Sequence, residues 1–192
     1  MTKVRKELIK ELEMYRAYNE QEEADRQVIL DSLLSEELIF ERAESTKHIT
    51  VSAWVVNPEK TKALMAYHNI YDSWAWLGGH ADGDENLLRV ALKEVSEESG
   101  LKRTHPVSES IFSLEVLTVD GHIKKGSYIS SHLHLNITYL IEADEQEELS
   151  TKEDENSAVD WFTLDEAVEA SSEIWFRENI YRKLNEKLRE LK

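Results

Sequence analysis

Glycine is scarce in this chain except around one acidic segment. Of six glycines, four fall at positions 78, 79, 83 and 100 and frame the stretch GGHADGDENLLRVALKEVSEESGL. Glycine serves where the backbone must turn tightly or enter a left-handed conformation, so a loop, a helix and a second loop are predicted here. Asp82 or Asp84 can cap the helix start, with Glu85 at capping-box spacing from Asp82, and Gly100 can end it in a left-handed turn. Stepping about 100° per residue puts Leu88, Ala91, Leu92 and Val95 on one face, to be buried, and Asn86, Arg89, Lys93 and Ser96 on the solvated face opposite. Glu94, Glu97 and Glu98 then form a stripe bordering the apolar face. Like charges at this spacing cost a helix about 0.2–0.5 kcal/mol per pair, and partial burial adds to the cost. One exposed Lys93 ammonium cannot neutralise three carboxylates, whereas a hard divalent cation takes oxygen ligands of this kind. The plainer alternative is a solvated acidic face held by i to i+4 pairs.

The rest of the chain arranges itself around this segment. Residues 3 to about 40 contain neither Gly nor Pro and carry apolar residues at near-helical intervals (Val4, Leu8, Leu12, Tyr15, then Val28, Ile29, Leu33, Leu34), predicting two helices with a break near Asn19. A dimer contact or a lid is one role for them; packing against the core is the simpler one. From Lys47 the period becomes two, with Ile49, Val51, Ala53 and Val55 alternating with His48, Thr50, Ser52 and Trp54 up to a turn at Asn57 and Pro58. Lys62 to His68 reads as the antiparallel partner. Further strands are predicted at Ile111 to Val119, Tyr128 to Glu142 and Val159 to Phe162, with Gly121 and Gly126 in the connection between the first two. Helices follow at Leu164 to Ala170 and Ile174 to Leu191. Strands, a central helix, more strands and terminal helices make an α+β or mixed α/β/α layered fold. The expected division is a helical extension over residues 1–44 packed on a main domain over 45–192. The segment EADEQEELSTKEDEN reads as a charged, solvated loop.

Composition narrows the function. With 39 Asp and Glu against 23 Lys and Arg, the formal net charge is −16, and the surface field repels duplex nucleic acid and anionic membranes. A phosphate-bearing small substrate therefore needs a local cation. The absence of cysteine excludes disulfides, zinc–thiolate sites and a cysteine nucleophile. No signal-peptide core and no run of about 18 apolar residues is present, so a cytoplasmic location is expected.

Read as a pattern, Gly79, five residues, Glu85, seven residues and then Lys93, Glu94, Val95, Ser96, Glu97, Glu98, Ser99, Gly100, Leu101 is similar to the Nudix box, Gx5Ex7REUxEExGU, where U is aliphatic. Spacing agrees throughout, and the one departure is Lys93 in place of arginine. The resemblance implies a Nudix α/β/α sandwich with a mixed sheet, and a hydrolase that cleaves a nucleoside diphosphate linked to another moiety with Mg²⁺ or Mn²⁺. It also implies that Glu94, Glu97 and Glu98 are metal ligands and catalytic residues, with the carbonyl of Gly78 a further ligand. Gly79, Glu85, Lys93 and Gly100 become structural box positions, Glu85 pairing with Lys93. Lysine keeps the charge but loses the planar fork of arginine, which loosens that brace.

Water attacking phosphorus needs a general base. Glu98 is the first choice because desolvation at the apolar border raises its basicity; a residue of the acidic segment Glu145 to Glu155 is the second. His132 and His134 share a strand face with Asn136, and His80 follows the paired glycines; these three are candidates for contact with substrate phosphate, as bases or as ligands, against the plainer reading of a wet strand face. Trp54, Tyr67, Trp74 and Trp76 can stack a nucleobase, but strand aromatics usually fill a core, which is preferred for Trp76. Isopentenyl-diphosphate isomerase, with the same implied fold, relies on a cysteine that is missing here. A regulatory Nudix-like module that binds a nucleotide without cleaving it is the alternative of a different class. A calcium loop at DGDE fails on register.

Overall fold

The computed structural model describes residues 1–42, 46–124, 126–152 and 154–191. The fold class is α+β, a mixed sheet flanked by helices with an N-terminal helical extension, as expected. The elements are α1 (Lys3–Met14), α2 (Glu20–Ser35), β1 (Lys47–Val56), β2 (Lys62–His68), β3 (Ser73–Ala75), β4 (Leu77–His80), α3 (Leu87–Ser99), β5 (Thr104–Pro106), β6 (Ser113–Val119), β7 (His122–Lys124), β8 (Ser127–Ile129), β9 (His132–Ala143), β10 (Asn156–Thr163), α4 (Leu164–Ala170), α5 (Ile174–Phe176) and α6 (Arg182–Glu190). Among the described residues the main sheet runs β10-β2-β1-β9-β5, with β3 on β2, β4 on β1 and β6 on β9. The chain divides into two compact units, and β1, α3 and β9 each pass from one to the other.

The first unit comprises Met1–Val51, Gly79–Val90 and Ser110–Thr138. Asn19 breaks the N-terminal helices as expected, its side chain accepting from the Glu22 N–H at 2.9 Å to cap α2. The far end of α2 is capped by a side chain from α1. Arg5, only 6% exposed, donates to the Leu33 carbonyl from Nε at 3.0 Å and Nη2 at 2.6 Å, to the Glu37 carbonyl at 3.2 Å and to the Glu36 carbonyl, while its guanidinium lies 5.7 Å from the Phe40 ring centre. A cation placed on the free carbonyls of a helix C-terminus satisfies them and opposes the helix dipole. Arg5→Met keeps much of the stem but orphans these acceptors, and chemical denaturation is expected to show a loss of about 2–3 kcal/mol.

Helix α2 packs on β6, and buried polar groups join the two. Glu22, with no exposed surface, accepts from the Tyr15 hydroxyl at 2.9 Å, the Tyr18 N–H at 2.8 Å and the Ser113 hydroxyl at 2.8 Å. Glu115, equally buried, receives the Asn136 amide and the Thr138 hydroxyl, each at 3.0 Å, and Thr50 donates to Asn136 at 3.1 Å. Although His48, Thr50 and Ser52 occupy the polar register of β1, each is only 4% exposed. The sheet strand is covered on both sides, so its polar positions form a second interior layer.

One predicted strand is two. His122–Lys124 (β7) and Ser127–Ile129 (β8) pair antiparallel apart from the main sheet, Gly126 takes φ +82°, and the long strand starts only at His132. Gly121 and Gly126 lie in the connection between β6 and β9, as expected, and that connection contains β7 and β8.

The second unit comprises Ser52–Gly78, Ala91–Glu109 and Tyr139–Lys192. Here β2 pairs antiparallel with β1, β3 and β10, and α4 packs over β2 and β10. Helix α4 has the predicted limits, fixed by a capping box between Thr163 and Glu166. The predicted helix over 174–191 contains a π turn at Arg177–Tyr181 between α5 and α6. Tyr181, at that turn, stacks on the fully buried Trp54 at 5.6 Å, and Trp76 meets Tyr181 edge-on at 5.8 Å. Trp54 and Tyr181 are core, whereas Trp76, expected in the core, is half-buried at its edge. Among the described residues no helix is long and apolar enough to cross a membrane.

Candidate active site

Helix α3 begins at Leu87, later than the sequence suggests. Asn86, not Asp82 or Asp84, caps it by accepting from the Arg89 N–H at 3.1 Å. Asp84 instead binds the Arg89 guanidinium at 2.8 Å, and Asp82, at φ +48°, pairs with Arg42 at 2.5 Å. The buried stripe is correspondingly rotated. It consists of Leu87, Val90, Ala91, Glu94, Val95 and Glu98, while Leu88 and Leu92 are half-buried. These positions recur at i, i+3, i+4, i+7, i+8 and i+11, one face of a helix. Two glutamates therefore occupy places that the period reserves for apolar side chains; counting apolar residues alone moved the centre of the stripe away from them.

Glu94 is 8% and Glu98 6% exposed. Glu98 Oε2 accepts from the Gly78 N–H at 3.0 Å, which places the first glycine of the loop against the site. Glu155 joins them, with one carboxylate oxygen from each of Glu94, Glu98 and Glu155 within 4.8 Å of the others. Burial pushes Glu98 up to about 8; the Gly78 N–H and Lys152 oppose the rise, and the Glu94 and Glu155 charges add to it. Burial also raises Glu94, against the pull of Lys93 and Lys152. Glu97 points outward, 3.4 Å from both Lys93 and Lys152. Lys152 also bonds Glu155 at 2.9 Å, and although burial lowers its pKa, these carboxylates raise it more.

The box positions settle locally. Gly79 lies in β4, half-buried. Lys93 meets Glu94 at 3.6 Å and Glu97 at 3.4 Å on its own helix, and Glu85 accepts from the Thr2 hydroxyl. Gly100 has φ +76°, the left-handed exit that was expected.

That exit is what brings Glu155 in. The segment after β9 reads in sequence as a solvated loop, but it is tied to the end of α3. Ser150 N–H donates to the Ser99 carbonyl at 2.8 Å, Asn156 Nδ2 to the Glu98 carbonyl at 3.0 Å, and the Lys102 N–H to Glu147 at 2.8 Å. A helix C-terminus offers free carbonyls, and this segment supplies their donors. A Cβ on Gly100 would stand 2.1 Å from Ser150 Oγ and 3.2 Å from its backbone nitrogen. Gly100→Ala is expected to lower stability by about 1–2 kcal/mol, read as a lower midpoint in thermal or urea unfolding.

The histidines form their own cluster within the first unit. His80 of β4 and His132 and His134 of β9 surround the buried His48 of β1. Ring centres lie 5.1 Å apart for His48–His80, 5.0 Å for His48–His132 and His48–His134, and 4.9 Å for His80–His134. Burial, with the neighbouring imidazoles, pushes His134 down to about 2, so it is neutral. The sequence gives His48 and Lys152 no functional reading, and Glu155 only that of a base within the segment Glu145 to Glu155. The signal available for His48 was its place in the polar register of β1.

Glu94 and Glu98 on the buried face of a glycine-framed helix, with Glu155 beside them, make a carboxylate cluster that could hold a metal ion on an α+β scaffold. The sequence matches the family model of the NUDIX domain over residues 46–184, and the chain belongs to the Nudix hydrolase family. Among solved structures it is similar to a NUDIX-family hydrolase from Clostridium perfringens (22% identity, TM-score 0.51, covering 76% of this chain and 98% of that one). It is also similar to an Ap4A hydrolase from C. elegans (13% identity, TM-score 0.51, 74% and 96% covered). No curated protein matches the chain. At these identities the structural likeness concerns the fold.

Proposed function

We propose that this chain is a Mg²⁺-dependent pyrophosphohydrolase, served also by Mn²⁺, that cleaves the diphosphate linkage of a nucleoside diphosphate joined to another moiety. The observation that carries the reading is the placement of Glu94 and Glu98 in the buried stripe of α3 with Glu155 brought against them. The donor set fits a hard divalent ion. Four carboxylates, Glu94, Glu97, Glu98 and Glu155, meet two ammonium groups, Lys93 and Lys152, and a divalent ion neutralises the excess.

In this reading Glu94, Glu98 and Glu155 hold the ion, with Glu97 and the Gly78 carbonyl completing the set that the box implies. When bound, the ion activates a water and neutralises charge on the phosphoryl oxygens. Glu98 accepts the water's proton. The Gly78 N–H on Oε2 would orient the carboxylate, and its burial would keep bulk water from competing. Lys152 holds Glu97 and Glu155 in place from the partner segment and supplies positive charge to the substrate's phosphates. Residues 1–44 act as an extension packed on the catalytic domain, 45–192.

The test is a panel of dinucleoside polyphosphates, nucleotide sugars, ADP-ribose and oxidised deoxynucleoside triphosphates, assayed with and without Mg²⁺. Metal-dependent release of a nucleoside monophosphate is expected for at least one member. Tight binding of a panel member with no turnover under any metal would instead establish the regulatory module.

A further inference from the structure

Five of the seven histidines of this chain, His48, His80, His122, His132 and His134, lie in one neighbourhood, His122 reaching it through His132 at 6.4 Å between ring centres. Imidazoles gather in this way at low cost only if something organises their lone pairs. Three separate elements, β1, β4 and β9, each deliver one ring, and one nitrogen from each of His48, His80 and His134 lies within 4.8 Å of the other two. In a tetrahedral zinc site with bonds of about 2.0–2.1 Å, ligand nitrogens stand roughly 3.3 Å apart. Small side-chain rotations would bring the three nitrogens, already within 4.8 Å of one another, to that spacing.

The outer contacts orient the rings. His132 Nδ1 lies 2.8 Å from the Ser130 carbonyl, which can only accept, so Nδ1 carries a hydrogen. His132 Nε2 and His134 Nε2 lie 3.2 Å apart, a hydrogen bond that orients the His134 ring. A ligating imidazole whose other nitrogen is held by a hydrogen bond is the usual way such sites are oriented. Thus His132 is a positioning residue for His134.

We propose that His48, His80 and His134 form a second metal site, selective for a transition ion of the Zn²⁺ class over Mg²⁺. Neutral imidazoles bind Zn²⁺, Co²⁺, Ni²⁺ and Cu²⁺ well, whereas Mg²⁺ demands oxygen. Three protein ligands leave a fourth position for water or a phosphoryl oxygen. The chain's net charge of −16 favours cation capture. The histidines read from the sequence as phosphate contacts would then act through the ion.

The site shares no residue with the carboxylate cluster, so the two can be tested separately. Full-length protein stripped with chelator and dialysed is titrated with Co²⁺ in excess Mg²⁺, and X-ray absorption at the cobalt edge reads the ligands. About one equivalent bound with imidazole scattering is expected in wild type and also in the Glu94→Gln/Glu98→Gln variant. His80→Gln is expected to weaken Co²⁺ binding by at least about tenfold. The proposal is overturned if the wild-type edge shows oxygen ligands only, if Mg²⁺ displaces the cobalt, if the carboxylate variant abolishes uptake, or if His80→Gln binds as wild type does. The wild-type edge spectrum decides the matter even if a variant fails to fold.

Discussion

Glu98→Gln is expected to lower turnover of a diphosphate substrate by about 10²–10⁴-fold, the usual worth of a positioned proton acceptor. The same variant should not be less stable without metal. In the metal-free protein burial holds the Glu98 carboxyl up at about 8, against an ordinary 4.5. Between those values the folded state keeps a proton that the unfolded chain has released, so this group makes stability fall as pH rises from about 4.5 to 8. Glutamine is neutral throughout and removes that slope. Thermal melts from pH 5 to 8 in chelator should therefore show Glu98→Gln equal to or above wild type, with the gap widening toward pH 8. Added Mg²⁺ should raise the wild-type midpoint and leave the variant's nearly still, because only a ligand that binds the folded state shifts it. A variant that turns over at the wild-type rate would remove Glu98 from the mechanism, and one that melts far lower in chelator would show that its burial is structural.

The largest stability effect is expected away from the chemistry. Glu22→Ala should destabilise by about 3–5 kcal/mol in urea unfolding, because it deletes a fully buried acceptor that three donors share. The Tyr18 N–H loses its side-chain acceptor, while the Tyr15 and Ser113 hydroxyls fall back on the Phe112 carbonyl at 3.3 Å and on Glu115 at 2.5 Å, and a methyl group offers none of them a new partner. Burial and then the Glu22 charge push the Tyr15 hydroxyl upward, evidence of how closely the two are coupled. Glu22→Gln retains one carbonyl acceptor and should recover part of the loss. An alanine variant as stable as wild type would mean that water replaces the carboxylate, and that helix α2 is held by apolar packing alone.

Much of this was legible in the sequence, and the remainder was hidden for specific reasons. The change from helical to strand period at Lys47 located β1 and its partner β2, and Gly100 located the end of α3. The start of α3 was misplaced because Asp82, Asp84 and Asn86 are all good caps, and only tertiary partners, Arg42 for Asp82 and Arg89 for Asp84, decide among them. The two inward glutamates were read as bordering the apolar face since a purely apolar count cannot reveal a charge set inside it. Glu155 looked like one more solvated acid in a charged run; its role depends on the carbonyls that α3 leaves free, which no local pattern displays. The histidine cluster depends on strand register. His132 and His134 were visible as neighbours, but nothing in the chain order places His48 and His80 beside them.

The most direct test is a crystal soaked in Mn²⁺ and measured for anomalous scattering. A peak within about 2.5 Å of oxygens of both Glu94 and Glu98, with Glu155 turned toward it, is the expected result. No peak there at saturating Mn²⁺, with calorimetry also finding no uptake that depends on Glu94 or Glu98, would contradict the assignment of this helix as a metal site.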